Sequence, residues 1–585
     1  MIYSIKRWFS IQMVKHAHLM ILLGIVIFNV VLWLAASLAA FLVDRTDFAN
    51  YGEALAWCVA WLLDPGTYNY STPFAIRLVS VIVIITAMVT FSGGIIAYVA
   101  NLFSTIVEDS KKGKGRLYLK DHIVILNWSS EAPEIICDFS CRDEKEDIVV
   151  LSSNDRDTIE KQVKNKAFEQ KRNLRNCNLI ARTGSVFSEA TLDSVGIKDA
   201  KTIIILRDES QKGISDEDAD IISLKAMMMA LSEIKRPEQT VIIEVARKET
   251  ADLIRADRTR TGQVIPIIAR ELMGHLIAQT ILVPDINNVY SELFSYEGAE
   301  FYEIPHIEEK KAIEIYNSIV PMEENGHSFA LSEGVKNLRR IRKGKLPAPR
   351  LLHMKKPLEG ESRNVIVFGK STKRPYIEES IRHFSLDCGE KTDIRFIAET
   401  TPQLIYEMIE KTPAVKTIVI LSDDSLPEDH LDSNVLFTLL LIKDITKERK
   451  ITVIVEILNQ LHQEISKRYN VDNIIVSTTY VSHMITQISE NRALFPLFED
   501  LLTYDEEKDV SYEIYTYEAG ELFAEPLPLR FGARSEFINS VYVSSKERMI
   551  PIGFIHEDRF QLFKGNLDKE GLMLEKGDRI IAIDR

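Results

Sequence analysis

Leu19 to Val43 carries no charged side chain, and Asn29 is its only strongly polar residue. A helix needs about 20 apolar residues to cross the hydrocarbon core of a bilayer. This stretch is therefore predicted to span a membrane, and a chain that begins this way cannot be read as soluble throughout. A cleavable leader would have a shorter apolar core. A second charge-free stretch, Leu78 to Val107, follows it. At 1.5 Å per residue that run exceeds the membrane core, so it is predicted to cross and continue into water.

Flanking charge sets the orientation. Lys6, Arg7 and Lys15 precede the first span, and Lys111, Lys112, Lys114, Arg116 and Lys120 follow the second, while the loop between them has few basic residues. Both termini are therefore expected on the cytoplasmic side. Residues 1–18 alternate basic and bulky apolar groups and read as an amphipathic helix lying at the interface with the lipid bilayer.

The loop holds the most informative segment. Asn50 followed by Glu53 resembles a capping box, and Tyr51 to Leu63 then reads as a helix of about 20 Å, too short to span. Asp64-Pro65-Gly66-Thr67-Tyr68-Asn69-Tyr70-Ser71 comes directly after it. A short apolar helix between two spans, ending in a Pro-Gly turn, is the pattern of a pore helix and selectivity filter, because irregular backbone at membrane depth survives only where it lines water or is buried in protein. The helix would aim its partly negative C-terminus at an ion path, and four copies of Asp64 in a homotetramer would form an acidic ring, one of the standard filters for permeant cations. The bland reading has Asp64 capping the turn in solvent. The Thr-Val-Gly-Tyr-Gly filter of potassium channels is absent. Gly93-Gly94, in the middle of the second stretch, reads equally as a gating hinge or as a site of close helix packing. The pore module is thus a span at 19–43, a pore helix at 51–63, a filter at 64–71 and an inner helix at 76–107, with a linker over 108–120.

From Lys120 onward, apolar strands alternate with helices. Strands are predicted at 122–127, 147–152, 178–181, 202–206 and 240–245, with helices at 216–234 and 270–282. The pattern recurs from Asn364, with strands at 364–369, 393–398, 417–421 and 451–457, and each copy ends in a β-rich tail. This is a doubly wound α/β organisation in two copies, 121–350 and 360–585. The G-x-G-x-x-G fingerprint of a dinucleotide site is missing. Asn127, Trp128, Ser129 and Ser130 stand in its place in the first copy, and only Gly369 and Lys370 in the second. The crevices at the strand ends remain candidate ligand sites, with nucleotide a possible occupant despite the absent glycines. Asn154 and Asp155 lie where a ribose-binding carboxylate would, or cap a helix. An acidic loop carries Asp208 and Glu209, and Glu244 ends the fifth strand; together they are a candidate calcium site, or solvated helix-capping acids.

Net charge is −14 over 585 residues, which argues against a nucleic-acid partner. The five cysteines are odd in number and form no CxxC pair, so neither a disulfide framework nor a zinc site is expected. His275 and His383 read as isolated structural residues. With no glycine cradle and no catalytic constellation, a membrane-anchored dehydrogenase is disfavoured and no enzyme is expected. A nonconducting, membrane-anchored nucleotide-binding regulator of ion transport remains the alternative, against which the short loop helix speaks.

Ala60-Trp61-Leu62-Leu63-Asp64-Pro65-Gly66, Arg77-Leu78-Val79-Ser80, His122 to Ser129 and Leu574-Glu575-Lys576-Gly577-Asp578-Arg579-Ile580-Ile581 resemble, respectively, the pore helix and filter, the inner helix, the first strand and the closing lobe of the Castor/Pollux cation channels, which carry tandem regulator-of-conductance (RCK) domains. Thr67-Tyr68-Asn69 depart from that family's filter. The resemblance implies a two-helix pore module with a re-entrant pore helix, two Rossmann-like RCK domains each with a small β-rich C-lobe, and a tetramer gated by a ring of eight such domains. Plant members carry extra spans and sit in the nuclear envelope; two spans point instead to a plasma (inner) membrane. Calcium-gated RCK channels resemble this chain at Asp208 and Glu244, while a further acid of that pattern is Ala246 here.

Overall fold

In a computed structural model the chain divides into two compact units, Met1–Gly115 and Arg116–Arg585. The structure describes residues 17–43, 48–63, 74–87, 89–90, 93–111, 116–142, 144–208, 214–257, 262–283, 285–296, 298–306, 321–324, 326–334, 348–355, 363–388, 391–412, 414–423, 428–469, 471–503, 512–557, 559–564, 567 and 570–584. The expected amphipathic helix at the N-terminus lies, but for its last residues, outside them.

In the first unit, the apolar run forms α1 (Ala17–Val43), the one helix among the described residues long and apolar enough to cross a membrane. The loop helix α2 (Tyr51–Leu63) has the predicted bounds. Its cap runs both ways: Asn50 Oδ1 accepts the Glu53 N–H of the first turn at 3.0 Å, and Glu53 Oε2 reaches back to accept the N–H of Ala49, just before the cap, at 2.9 Å. Small buried residues on both helices, Ala36 and Ala40 on α1 and Ala54 and Cys58 on α2, let the backbones approach. Trp33 Nε1 donates to the Leu55 carbonyl at 3.0 Å, and the Ser37 and Tyr51 hydroxyls lie 3.0 Å apart.

Within the predicted inner helix at 76–107 the structure describes α3 (Phe74–Ala87), a π-turn at Val89–Thr90 and α4 (Gly93–Lys111), while residues 88, 91 and 92 lie outside the described residues. Polar contacts mark the π-turn. The Thr90 hydroxyl lies 2.7 Å from the Thr86 carbonyl and 3.0 Å from Asn29 Oδ1, and such back-bonding by threonine bends helices. Asn29 in turn donates to the Ile25 carbonyl at 2.8 Å, so the buried amide is satisfied within the unit.

The second unit contains both α/β copies. In the first, β1 (Ile123–Leu126), β2 (Glu146–Ser152), β3 (Cys177–Thr183), β4 (Thr202–Ile205), β5 (Thr240–Glu244) and β6 (Gln263–Ile267) form a parallel sheet of order 3-2-1-4-5-6, the doubly wound arrangement. The helices that matter below are α5 (Ala132–Phe139), α6 (Arg156–Glu169), α7 (Asp216–Glu233), α8 (Ala269–Leu282) and α9 (Ile286–Phe294). A three-stranded tail follows: β7 (Glu300–Ile304), β8 (Pro321–Glu324) and β9 (His327–Ser332), in the order 7-9-8. In the second copy, β10 (Arg363–Phe368), β11 (Thr392–Ile397), β12 (Thr417–Ile420), β13 (Thr452–Ile457) and β14 (Asn473–Val476) form a parallel sheet of order 11-10-12-13-14. Its helices include α10 (Arg374–Cys388), α11 (Glu428–Arg449), α12 (Ser477–Glu490) and α13 (Leu494–Leu502). The closing lobe is an antiparallel sheet of β15 (Glu513–Glu518), β20 (Arg579–Asp584), β17 (Ile550–His556) and β18 (Arg559–Leu562), with a pair formed by β16 (Leu529–Phe531) and β19 (Leu572–Leu574).

The two copies share one core. The last helix of each sheet packs on the first helix of the other, α8 on α10 and α12 on α5. Gly274 permits the first contact, since a Cβ there would stand 2.6 Å from Tyr376 Cβ. Tyr290 of α9 donates to the Leu501 carbonyl at 2.6 Å, and Tyr480 of α12 to Asn287 Oδ1 at 2.6 Å, so the exchange is hydrogen-bonded as well as apolar.

Candidate functional site

The predicted filter, Asp64, Pro65, Gly66, Thr67 and Tyr68, lies outside the described residues; what is described is the capped helix that leads into it. Gly93 has open space around its Cβ position. Gly94 faces Ile25 of α1, whose side chain would lie 2.9 Å from an added Cβ. Gly94 thus packs closely on α1.

The strand-end crevice of the first α/β copy is built by β1, β4 and β5. β1 ends at Asn127, whose φ of 69° is left-handed; asparagine tolerates this where other side chains are strained. Its side chain donates to the Leu206 carbonyl at 3.0 Å and so ties the ends of β1 and β4 together where a glycine would leave room for a phosphate. Trp128 is buried against α6, with Nε1 donating to Gln162 Oε1 at 2.8 Å. The Ser129 hydroxyl is buried with no hydrogen-bond partner among the described residues. Ser130 bonds its neighbour Glu131 at 3.4 Å. Asp155 is the N-cap of α6, accepting the Asp157 N–H at 3.1 Å, and the Asn154 backbone carbonyl accepts from Thr183. The geometry supports the capping reading for Asp155.

Of the candidate calcium ligands, Glu209 lies outside the described residues, Glu244 is the last residue of β5, and Asp208 lies in the loop past the end of the neighbouring β4. Glu244 Oε2 accepts the Arg207 N–H at 3.0 Å. Burial and the nearby Glu131 carboxylate push the Glu244 carboxyl up to about 7, against the pull of Arg207 and Arg270. Both arginines grip Asp216, at the first turn of α7. A carboxyl with a raised folded pKa contributes stability that is fully present below its ordinary value of about 4.3 and lost as pH rises through its folded value. Glu244→Gln is therefore expected to flatten the fall in melting temperature between about pH 5 and pH 8; an unchanged thermal-unfolding profile would show that Glu244 does not hold the proton.

The second crevice repeats this framework with different contents. Gly369 occupies the position of Asn127, with φ of 114°, and its N–H bonds the Ile397 carbonyl as the Asn127 N–H bonds that of Leu151. Glu456 matches Glu244: each carboxylate follows the residue that pairs with the last residue of the neighbouring strand, Val455 with Ile420 and Ile243 with Ile205. Glu456 is fully buried, pairs with Lys373 Nζ at 3.0 Å, accepts the Ser422 N–H at 3.4 Å and is bonded by the Ser477 hydroxyl. The predicted Lys370 is exposed; it is Lys373 that fills the crevice. Asp220 and Asp432 are a further matched pair, each accepting two backbone N–H groups after the Glu-bearing strand. A legible signal for Glu456 was present in the chain: Thr240-Val241-Ile242-Ile243-Glu244 recurs as Thr452-Val453-Ile454-Val455-Glu456.

No family model matches the chain. The probable ion channel Pollux of Oryza sativa subsp. japonica is 21% identical over 648 residues, covering 95% of this chain. The chain spans 65% of that protein's length. The ion channel Castor of Lotus japonicus is 21% identical over 617 residues, covering 89% of this chain and 70% of that one. Among solved structures, the human SLO3 gating ring aligns with a TM-score of 0.54 and 11% identity, covering 79% of this chain and 99% of that one. These relatives are ion channels rather than enzymes. Along almost its whole length the chain is thus similar to the Castor/Pollux-type ion channels, and it shares its parallel α/β fold with a solved gating ring.

Proposed function

We propose that the chain is a subunit of a homotetrameric, ligand-gated cation channel of the plasma membrane, with both termini cytoplasmic. The observation that carries this reading is the similarity to Pollux over 95% of the chain, which takes in the membrane segment together with both α/β domains. Large apolar side chains exposed on α1, α3 and α4, among them Val31, Ile85, Ile96 and Phe103, suit lipid or neighbouring subunits rather than water. In this reading the α2 helix is the pore helix, Asp64 supplies an acidic ring, and Pro65 to Tyr68 complete the filter.

The RCK ring would bias the pore by its differential affinity for ligand in two ring geometries, a coupling of typically about 1–3 kcal/mol per effector. Tension would pass through residues 108–120 to the π-turn at Val89–Thr90, near Gly93. The first crevice is the better ligand site of the two, because the Lys373–Glu456 pair fills the second. Calcium there would use Asp208, Glu209 and Glu244 and would compete with the Glu244 proton; nucleotide phosphate would meet Asn127 instead of glycine.

Asp64→Asn is expected to lower single-channel cation conductance in planar bilayers by roughly threefold or more, with assembly retained on size-exclusion chromatography. Unchanged conductance and selectivity would remove Asp64 from the filter. No cation flux from wild-type protein in liposomes would favour the nonconducting regulator.

A further inference from the structure

The reciprocal packing of the two α/β domains is chemically unequal at its centre. His275 of α8 and His483 of α12 occupy matching positions, each facing the first helix of the other domain. His275 Nδ1 lies 2.5 Å from the Ser380 hydroxyl of α10, and His483 Nδ1 lies 2.6 Å from Asp138 Oδ2 of α5. Both rings are buried. Burial, with the positive charge of Lys248 and His383, pushes His275 down to about 4, so it is neutral across the physiological range.

Around His483 the surroundings are ionic. Glu134, Asp138 and His483 bring their ligand atoms within 4.8 Å of one another. The two carboxylates already have cations. Lys166 Nζ lies 2.6 Å from Glu134 Oε2, and the Arg172 guanidinium bonds Asp138 Oδ1. A metal ion would have to displace both, so this is an ion-pair network and not a metal centre. Gln170 extends it, bonding Glu134 and, across the domain boundary, Gln460 Oε1 at 3.1 Å. Helix α9, also packed on α12, meets it through Asn287 and through backbone carbonyls bonded by Gln487, none of which titrates.

We propose that the His483–Asp138 contact is a proton-dependent clasp between the two α/β domains, closed when His483 is protonated and loosened when it is neutral, while its counterpart His275–Ser380 is indifferent to pH. Burial alone would push His483 down; the Asp138 carboxylate, with Glu134 behind it, outweighs burial and the opposing Arg172, and the ring titrates above its ordinary value. The clasp is therefore complete below about pH 6.5 and opens as pH rises through the folded value. A neutral ring can still donate its Nδ1–H to Asp138 but no longer brings a charge to it, so the contact weakens, while the Arg142–Glu490 pair at the end of α12 persists. An alkaline shift would thus loosen one side of the domain pair and leave the other side unchanged.

Hydrogen exchange on the full-length protein in detergent, corrected for intrinsic rates, reads this directly. Protection of the α12 amides is expected to fall by roughly threefold or more between about pH 6 and pH 9 in the wild type. His483→Gln, which keeps a hydrogen bond to Asp138 but cannot titrate, should abolish the slope, and His275→Gln should retain it. A flat wild-type profile, or a slope that survives in His483→Gln, overturns the proposal. Should His483→Gln fail to fold, carbon-13 labelling of the histidine rings in the wild type provides the second reading. A His483 midpoint above about 6.5 supports the clasp, and one at or below it sinks the idea.

Discussion

Gly369→Ala is expected to destabilise the second α/β domain by about 3 kcal/mol or more, seen as a lower denaturant midpoint with little change in slope. Two separate costs add here. The backbone at Gly369 has φ of 114°, a region that L side chains rarely adopt. An added Cβ would also press on the Leu421 carbonyl oxygen, far inside 3.0 Å, and that atom is backbone at the end of a central strand. It cannot yield without disturbing the Leu421 N–H bond to the Phe368 carbonyl, 2.8 Å long. Asn127→Gly, at the matching position of the first domain, is the natural control. It loses the 3.0 Å bond to the Leu206 carbonyl but gains a residue suited to the left-handed backbone, so a loss of about 1 kcal/mol is expected. Equal effects at the two positions would contradict the matched geometry.

Lys373→Met should cost about 3–5 kcal/mol, because it leaves Glu456 buried without its cation. The Ser422 N–H and the Ser477 hydroxyl still bond the carboxylate, and they set the lower end of that range. The double variant Lys373→Met/Glu456→Gln separates charge from packing. Neutralising both partners removes the orphaned charge and should recover most of the loss in chemical denaturation. If the double variant were as unstable as Lys373→Met alone, the fault would be packing, and the ion pair would not be what closes this crevice.

Much of this organisation could be read from residues alone, and the limits are instructive. The α2 helix was legible because its determinants are local: Asn50 and Glu53 lie within one turn and cap each other. The buried parallel strands were legible because their apolar runs are continuous. β6 and β14 were not, since Gln263-Val264-Ile265-Pro266-Ile267 contains a proline and Asn473–Val476 is short; both are edge strands. The π-turn at Val89–Thr90 was invisible for a different reason. A charge-free run reports hydrophobicity, while the turn depends on Asn29, distant in the chain but 3.0 Å from Thr90. The same holds for Lys373, Glu456 and His483, which nothing in the sequence singles out, and for His275, which reads as an isolated structural residue until the other domain is placed beside it.

The reciprocal docking of α8 on α10 and α12 on α5 bears on how the molecule can be divided. Each half lends its closing helix to its neighbour and borrows one back, so a cut between residues 350 and 360 would strip both pieces of a wall they do not own. Halves expressed separately should aggregate, while the same halves co-expressed should rescue each other. The tandem arrangement accordingly behaves as a single handle with two grips rather than as two beads on a string.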